Sequence, residues 1–408
     1  MRGTVESYTT KAGERRWKIR YDRSADPETG QRRQAARRGF TTKRDADRSL
    51  REALDSVEGG TYVERDTKTV RDFLVDEWLP SRRPRGHESG RRSRGQLGAS
   101  TWQGYSDYVR IYVVPTLGGH RLQNLTPAHV NRAYDQLETS GRKDGGGVSP
   151  KTLANVHGLL HKAMDDAVRL GYVPRNPLDL VDAPRPEKSE TTVWAMEELR
   201  AFIEHVQDDR LYALWLLYAS TGLRRGEALG LTWDVVDLDA GTVTVAWTLG
   251  AVQGKPRWKP RPKSDASRRT LALDPVVVEP LRALRKRQME ERLLVGPAWQ
   301  QAPADGIGVS REGVVFTWPD GGLINPERVT KWFARHVAAA GLPHCRLHDV
   351  RHAYATAALR TATNWSEVKT LSRRLGHASV GETVDRYSHA LPVDDREQAA
   401  TMARLLLG

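Results

Sequence analysis

His348-Asp349-Val350-Arg351-His352 opens a predicted helix in the C-terminal half of the chain. Leu375-Gly376-His377 follows it, and Tyr387 lies ten residues beyond that histidine. His348 and Arg351 are three residues apart, so both lie on one helical face and can contact the same chemical group. A single tyrosine or histidine at such a position is usually an ordinary half-buried residue. The pattern therefore gains its meaning only from its order along the chain.

Two segments upstream extend the pattern. Ala219-Ser220-Thr221-Gly222-Leu223-Arg224-Arg225-Gly226-Glu227 predicts a helix end, a glycine turn and a new helix. Pro262-Lys263-Ser264-Asp265-Ala266-Ser267-Arg268-Arg269 lies between two predicted strands, residues 242–247 and 269–273. A lysine or arginine in such a place is ordinarily a solvated surface residue. Four segments in a fixed order over about the last half of the chain are far more specific than any one of them.

The four segments resemble the catalytic domain of the tyrosine recombinases, the family that includes phage lambda integrase. The resemblance implies an enzyme that breaks and rejoins DNA through a 3′-phosphotyrosine and a Holliday junction. Such an enzyme integrates or excises a mobile element, for example a prophage or an integrative plasmid. The residues that match the family's site are Tyr387 as nucleophile, Arg224 and Arg351 as phosphate clamps, His348 as base, Lys263 as acid, His377 as hydrogen-bond donor and Glu227 as a supporting residue. Family members often have Thr where this chain has Ser264, so Lys263 matches the pattern less closely.

The chemistry explains why these residue types belong together. The transition state of phosphodiester cleavage gathers negative charge on the nonbridging oxygens, and a guanidinium fork can bind two of them at once. Two arginines thus take over the role that a metal ion has in many nucleases. A phenol has a pKa near 10 and needs a neighbouring base. Because the covalent ester keeps the energy of the broken bond, we expect no metal, no ATP and no other cofactor.

A zinc site is a rival interpretation. His344, His348 and His352 are spaced four residues apart beside Cys345, which could align three imidazoles on one helix. Pro343 indicates that His344 precedes the helix, and no acidic residue stands at metalloprotease spacing. We therefore interpret His352 as a packing histidine and predict no metal site.

Two other functions share parts of this pattern. A type IB topoisomerase uses similar tyrosine chemistry without a partner duplex, but the basic N-terminal region and the chain length favour an integrase. A DNA-binding regulator could keep the fold and lose cleavage, but the full set of site residues argues against it. A covalent protein–DNA adduct that depends on Tyr387 distinguishes these possibilities.

The composition narrows the class of partner. The chain has 408 residues, a formal net charge of +13 and a pI near 9.8, which favours nucleic acid over an acidic membrane. One cysteine excludes an intrachain disulfide and is typical of an intracellular protein. The polar start and the lack of a long apolar run predict a cytoplasmic, nucleoid-associated bacterial protein with no membrane partner.

The periodicity predicts a multidomain protein that is mainly α-helical with small β-sheets. We expect a three-stranded sheet plus helix over residues 1–65, a helical, SAM-like domain over 66–185 and a mixed α/β catalytic domain over 186–408. The resemblance implies that the first of these binds arm-type DNA sites and that the second binds the core site. The proline-rich, charged stretch 182–192 is the best linker between the last two.

Basic residues outside the catalytic pattern are candidate DNA contacts. Arg16-Trp17-Lys18-Ile19-Arg20-Tyr21 alternates basic and apolar residues, as a strand with one exposed face does. These charges could also simply solvate a small sheet. A second basic segment lies in a loop, residues 81–98, that we expect to contact the phosphate backbone. The candidate contacts are Arg16, Lys18, Arg20, Arg37, Arg38, Arg91 and Arg92.

The expected partners follow from the resemblance. They are double-stranded attachment sites, three further copies of the chain in a DNA-bound tetramer, an excisionase and a DNA-bending host protein. Residues 394–407 predict a last helix, which either caps its own domain or docks on a neighbouring subunit. The target sequence depends on side chains at base edges and on DNA shape, and no pattern here predicts it.

Overall fold

The computed structural model describes residues 3–23, 29–59, 62–84, 96–142, 144–186, 193–259, 268–300 and 313–387. The chain divides into two compact units, one of residues 1–83 with 104–187 and one of residues 84–103 with 188–408. The three-domain division, with borders at 65 and 185, stays a prediction. Lys263, Arg91, Arg92 and the predicted last helix lie outside the described residues.

The chain begins with a three-stranded antiparallel sheet, as predicted. Its strands, in spatial order, are β1 (Gly3–Thr9), β2 (Arg15–Asp22) and β3 (Gln34–Phe40). Side chains alternate between the two faces, and Ile19 and Tyr21 of β2 are buried in a small apolar core. A β-bulge at Gly39, with φ of 99°, shifts the register between β2 and β3.

Helix α1 (Lys43–Glu58) covers the buried face of this sheet. The Thr42 hydroxyl caps its start by accepting a hydrogen bond of 3.1 Å from the Asp45 amide. Ala46, Ala53 and Val57, on one side of the helix, are buried. The sheet and the helix predicted for this region are therefore both present.

The described residues between 66 and 186 are mainly helical, in agreement with the prediction. A buried carboxylate supports their apolar core: Asp166 accepts a hydrogen bond of 2.8 Å from the indole nitrogen of Trp78. The elements are a π-helical segment Asp72–Trp78, α2 (Leu79–Ser81), α3 (Ala99–Tyr108), a π-helical segment Val109–Val113, α4 (Val114–Leu117), α5 (Pro127–Ser140) and α6 (Pro150–Arg169), with 3₁₀ turns at Leu122–Asn124 and Pro177–Leu180.

The C-terminal unit combines helices with two small sheets, also as predicted. An aromatic cluster of Phe202, Trp215 and Phe333 lies at the centre of its core. The helices are α7 (Met196–His205), α8 (Tyr212–Thr221), α9 (Arg225–Leu229), α10 (Pro275–Val295), α11 (Pro326–Ala339), α12 (Leu347–Arg360), α13 (Trp365–Leu375) and α14 (Val380–Tyr387), with 3₁₀ turns at Trp233–Val235 and Gly296–Ala298. The strands are β4 (Val236–Asp237), β5 (Thr242–Val245) and β8 (Arg269–Ala272) in one sheet, and β6 (Thr248–Val252) and β7 (Lys255–Lys259) in a hairpin.

Among the described residues, no helix combines the length and the apolar character that crossing a bilayer requires.

Candidate active site

Helix α12 carries two residues of the predicted site, His348 and Arg351, and presents His352 on the same face. The helix begins at Leu347, and Asp349 fixes this start by accepting bonds from the backbone and guanidinium of Arg346, at 3.1 and 2.8 Å. His344 lies ahead of the helix, as the proline predicted. Residues 348, 351 and 352 then point in similar directions, because i+3 and i+4 positions share a helical face.

Arg351 lies at the centre of the site and is only 2% exposed. Its guanidinium donates to the carbonyl oxygens of Gly222 at 2.6 Å and Leu375 at 2.7 Å. Burial, followed by the charge of Arg224, lowers the pKa of Arg351 to about 10, which still leaves it protonated at neutral pH. Arg351 thus connects the ends of α8 and α13 with a permanent positive charge.

Glu227 connects Arg224 to a second buried arginine. It accepts bonds from the backbone amide and the guanidinium of Arg224, both at 2.9 Å, and from Arg269 at 2.8 Å. Burial alone would raise the pKa of Glu227, but the hydrogen bond and charge of Arg269, followed by Arg224, hold it below its ordinary value. The Arg224 side chain is 43% exposed and that of Arg269 only 7%, so Arg224 is the arginine that can reach a ligand.

Two glycines bring the backbone close to these arginines. Gly222 ends α8 with φ of 63°, and Gly376 ends α13 with φ of 65°. The Gly376 carbonyl accepts a bond of 3.1 Å from Arg224. A Cβ at Gly376 would lie 2.6 Å from the Arg269 guanidinium, and one at Gly222 would lie 2.6 Å from the Tyr354 ring. Both positions therefore require glycine, for conformation and for space.

Tyr387 ends α14 and is 1% exposed. Its hydroxyl lies 2.9 Å from Nδ1 of His352. Burial raises the pKa of Tyr387. Burial, followed by the charge of His348, lowers the pKa of His352 to about 4, so this imidazole is neutral at physiological pH. A neutral imidazole therefore faces the phenol.

His377 lies between Arg351 and Tyr387. Its Nε2 is 3.0 Å from the Arg351 guanidinium, and its ring stacks on that of Tyr387 with centroids 6.3 Å apart. Its Nδ1 is 2.7 Å from the hydroxyl of Thr383. Burial, followed by the charge of Arg351, lowers the pKa of His377 to about 4. His377 is therefore neutral and hydrogen-bonded through both ring nitrogens.

The described residues bring together all but one of the predicted catalytic side chains. The exception is Lys263, which lies in the gap between β7 and β8. His348 is exposed and meets His352 edge to face, with ring centroids 4.9 Å apart. Among the described residues it is His352, and not His348, whose nitrogen meets the Tyr387 hydroxyl.

Sequence reasoning missed three residues of this cluster. His352, interpreted as a packing histidine, contacts the phenol; it directly follows Arg351, which was a usable signal. Arg269 stood in the quoted strand segment, but only the fold brings it to Glu227. Thr383 carries no sequence signal of its own, because its bond to His377 depends on the turn between α13 and α14.

Cys345 and the N-terminal basic residues also have definite positions. Burial raises the pKa of the Cys345 thiol to about 12, so the thiol is inert. In the sheet, Arg16, Lys18 and Arg20 alternate with buried residues of β2, and Lys18 pairs with Arg38 across the strands. Arg37 instead aligns with buried Ile19, and its guanidinium lies 6.0 Å from the centre of the Tyr21 ring.

Two family models match this chain. The model of the phage integrase family matches residues 192–393, and that of an arm DNA-binding domain matches residues 7–57. The chain belongs to the phage integrase family of tyrosine recombinases. The enzyme is therefore a tyrosine-type site-specific recombinase of the kind that mobile elements encode, and the sequence-based prediction of its class is confirmed.

Relatives of the recombinase span most of its length. It is 28% identical over 381 residues to a XerC-like tyrosine recombinase of Caldanaerobacter subterraneus, covering 90% of each chain. It is 26% identical to an integrase of Streptomyces ambofaciens, covering 85% of this chain and 82% of the relative.

Solved structures share the fold. The Tn1549 transposon integrase in complex with a circular intermediate DNA matches with a TM-score of 0.65 and 18% identity, over 83% of this chain and 99% of that one. A lambda integrase tetramer bound to a Holliday junction matches with a TM-score of 0.56 and 14% identity, over 95% and 96% of the two chains. These structures support the fold prediction.

Proposed function

We propose that the recombinase cuts and rejoins double-stranded DNA at attachment sites through a 3′-phosphotyrosine on Tyr387, and so integrates or excises a mobile element. The observation that carries this proposal is the contact between the Tyr387 hydroxyl and a neutral imidazole, beside the buried cation Arg351. A nucleophile, a proton acceptor and a phosphate clamp thus lie in one cluster.

In this mechanism Arg224 and Arg351 bind the nonbridging oxygens of the scissile phosphate. The Tyr387 oxygen attacks phosphorus, the bond to the 5′-oxygen breaks, and the departing oxygen takes a proton from Lys263. Glu227 accepts one hydrogen bond from the backbone amide of Arg224 and one from its guanidinium, both at 2.9 Å, and the second orients the guanidinium. The 5′-hydroxyl of a partner strand later attacks the phosphotyrosine, which returns the proton to the phenol and needs no ATP.

The proton of Tyr387 has two candidate acceptors. The sequence favoured His348, whereas the geometry favours His352, at 2.9 Å. Burial raises the pKa of the Tyr387 phenol and lowers that of the His352 imidazole to about 4. Full proton transfer before the attack is therefore strongly unfavourable. We infer that the proton moves as the bond to phosphorus forms, with exposed His348 as the route to solvent.

The N-terminal sheet supports the arm-binding part of the proposal. One of its faces carries Arg16, Lys18, Arg20 and Arg38, and a small sheet fits the major groove. The match to an arm DNA-binding domain over residues 7–57 also supports DNA binding by this sheet. Arg37 is on the opposite face, so we assign it to packing against Tyr21 rather than to DNA.

Further partners belong to the proposal. The matched structure of a lambda integrase tetramer on a Holliday junction supports a homotetramer on DNA. We also propose that residues 66–185 bind the core site and that Arg91 and Arg92 of the basic loop contact its phosphate backbone. We also expect an excisionase, a DNA-bending host protein and action at the bacterial nucleoid.

A suicide duplex tests the proposed chemistry. The duplex carries the attachment site mapped from the ends of the element that encodes the enzyme, with a nick that lets the 5′-hydroxyl strand diffuse away. We expect a covalent adduct with the wild type and none with Tyr387→Phe. Tyr218→Phe is the matched control, because the buried Tyr218 hydroxyl has no partner among the described residues; this variant should form the adduct. If the wild type forms no adduct, the proposal is wrong.

A further inference from the structure

The two hydrogen bonds of His377 determine which of its nitrogens carries the proton. A guanidinium can only donate hydrogen bonds. The Arg351 group at 3.0 Å therefore requires an unprotonated Nε2. A neutral imidazole then carries its single proton on Nδ1, which donates to the Thr383 hydroxyl at 2.7 Å.

Thr383 is well placed to hold this ring. It is completely buried, and it lies on α14 one turn before Tyr387. Its γ-methyl group and hydroxyl occupy the interior, where an unpaired imidazole N–H is unfavourable. The same short helix thus carries the nucleophile and the group that orients its stacking partner.

We propose that Thr383 is a positioning residue for strand cleavage, whose hydroxyl holds Nδ1 of His377 so that Nε2 faces the phosphate. The inference rests on the proposed cleavage function. It adds a residue that acts through His377, without contact to the DNA or to the reacting oxygen.

The hydroxyl suits both protonation states of His377. When a phosphate oxygen takes the position beside Nε2, that nitrogen needs a proton to donate a hydrogen bond. A proton taken up from solvent gives the imidazolium, and its Nδ1–H keeps the same bond to Oγ1 of Thr383. Valine has nearly the same shape as threonine but lacks the acceptor, so it would leave Nδ1–H unpaired in either state.

The test compares single-turnover cleavage of the suicide duplex by full-length variants. Thr383→Val should slow cleavage about 10-fold, and Thr383→Ser should restore most of the rate, because one buried hydrogen bond is removed and then regained. Thr356→Val is the matched control, since the Thr356 hydroxyl is buried on α12 without a partner among the described residues. It should cleave as the wild type does. Binding to the uncleaved duplex should stay within about threefold in each case, because none of these side chains contacts a phosphate.

A double variant distinguishes positioning from a purely structural role. If Thr383 acts through His377, Thr383→Val should add little to the loss caused by His377→Ala, because the partner is already gone. Three results would each overturn the inference. The rate losses of the two single variants could multiply in the double variant, Thr383→Val and Thr383→Ser could lose the same rate, or Thr383→Val could cleave at the wild-type rate. Should these outcomes occur while wild type forms the adduct and Tyr387→Phe does not, the proposed function stands and only this inference fails. Absence of the wild-type adduct overturns both.

Discussion

Charge and burial act together on the histidines of the site. His352 and His377 are both kept neutral, and each has a hydrogen bond that a neutral ring makes well: one to Tyr387 and one to Thr383. Protonation of either ring would place a further positive charge near Arg351. Before a phosphate binds, the site therefore concentrates positive charge on the arginines and keeps these two imidazoles uncharged.

This arrangement predicts a loss of stability in acid. The ordinary histidine pKa of 6.5 falls to about 4 for His377 and for His352. Their stabilising contribution is thus complete above pH 6.5 and is lost as the pH falls toward 4. Between these pH values the two histidines are protonated in the unfolded chain but remain neutral in the folded protein. The largest effect is about 1.4 kcal/mol per pH unit for each histidine. Urea unfolding of the full chain between pH 7.5 and 4.5 measures it.

The control for this prediction is His352→Gln. Glutamine keeps a polar side chain but does not titrate, so the free energy of unfolding of the variant should depend less steeply on pH than that of the wild type. An equal slope for both proteins would show that His352 does not contribute.

Single residues were predictable from sequence where they belong to a linear motif. Arg224, Arg351 and His377 lie in three of the four short segments, with Tyr387 ten residues beyond the last, and the fold brings them to one place. Thr383 and Arg269 could not be assigned in this way, because each bond they make joins elements whose packing the sequence does not specify locally. Arg37 and Arg38 were both assigned to DNA, although adjacent residues of a strand face opposite sides; in the sheet Arg37 aligns with buried Ile19.

Helix ends position much of this site. Gly222 ends α8 and Gly376 ends α13, and each offers a carbonyl oxygen to an arginine. Sequence reasoning predicted the glycine turn before Arg224 but not its contact with Arg351. It also missed the β6–β7 hairpin, because Thr248–Val252 and Lys255–Lys259 lack a clear alternation of apolar and polar residues.

A methyl group at Gly222 tests the importance of this helix end. Alanine at φ of 63° is strained, by about 1–2 kcal/mol. Its Cβ would also lie 2.6 Å from the Tyr354 ring and 3.1 Å from Leu375. Gly222→Ala should therefore lower the free energy of unfolding by more than strain alone and should slow cleavage, because the carbonyl that binds Arg351 must move.

Gly341→Ala separates strain from crowding. Gly341 has φ of 65°, but a Cβ at this position would have no other atom within 4 Å among the described residues. This variant should lose about 1–2 kcal/mol of stability and keep the wild-type cleavage rate. Equal losses of stability and rate in the two variants would rule out a special role for Gly222.

The whole molecule is strongly basic, and the N-terminal sheet shows how that charge is directed. The net charge of +13 on the whole chain favours binding to any polyanion. On the sheet, however, Lys18 forms an ion pair of 2.8 Å with Glu6, and Arg16 one of 2.6 Å with Glu14. Acidic partners reduce the nonspecific attraction of these two cations and hold their side chains in place. Arg38, on the same face, and Arg37, on the other, offer a matched comparison.

Salt dependence distinguishes the two faces. A cation that binds one DNA phosphate contributes about 0.9 to the slope of log K against log salt. Arg38→Ala should therefore reduce this slope for arm-site DNA by about one. Arg37→Ala removes the same charge but should leave the slope nearly unchanged and instead lower the melting temperature, because Arg37 packs on Tyr21. Binding titrations of full-length protein from low to physiological salt measure both slopes. Equal slopes would mean that net charge alone, and not the arrangement of charges on the sheet, governs binding to the arm site.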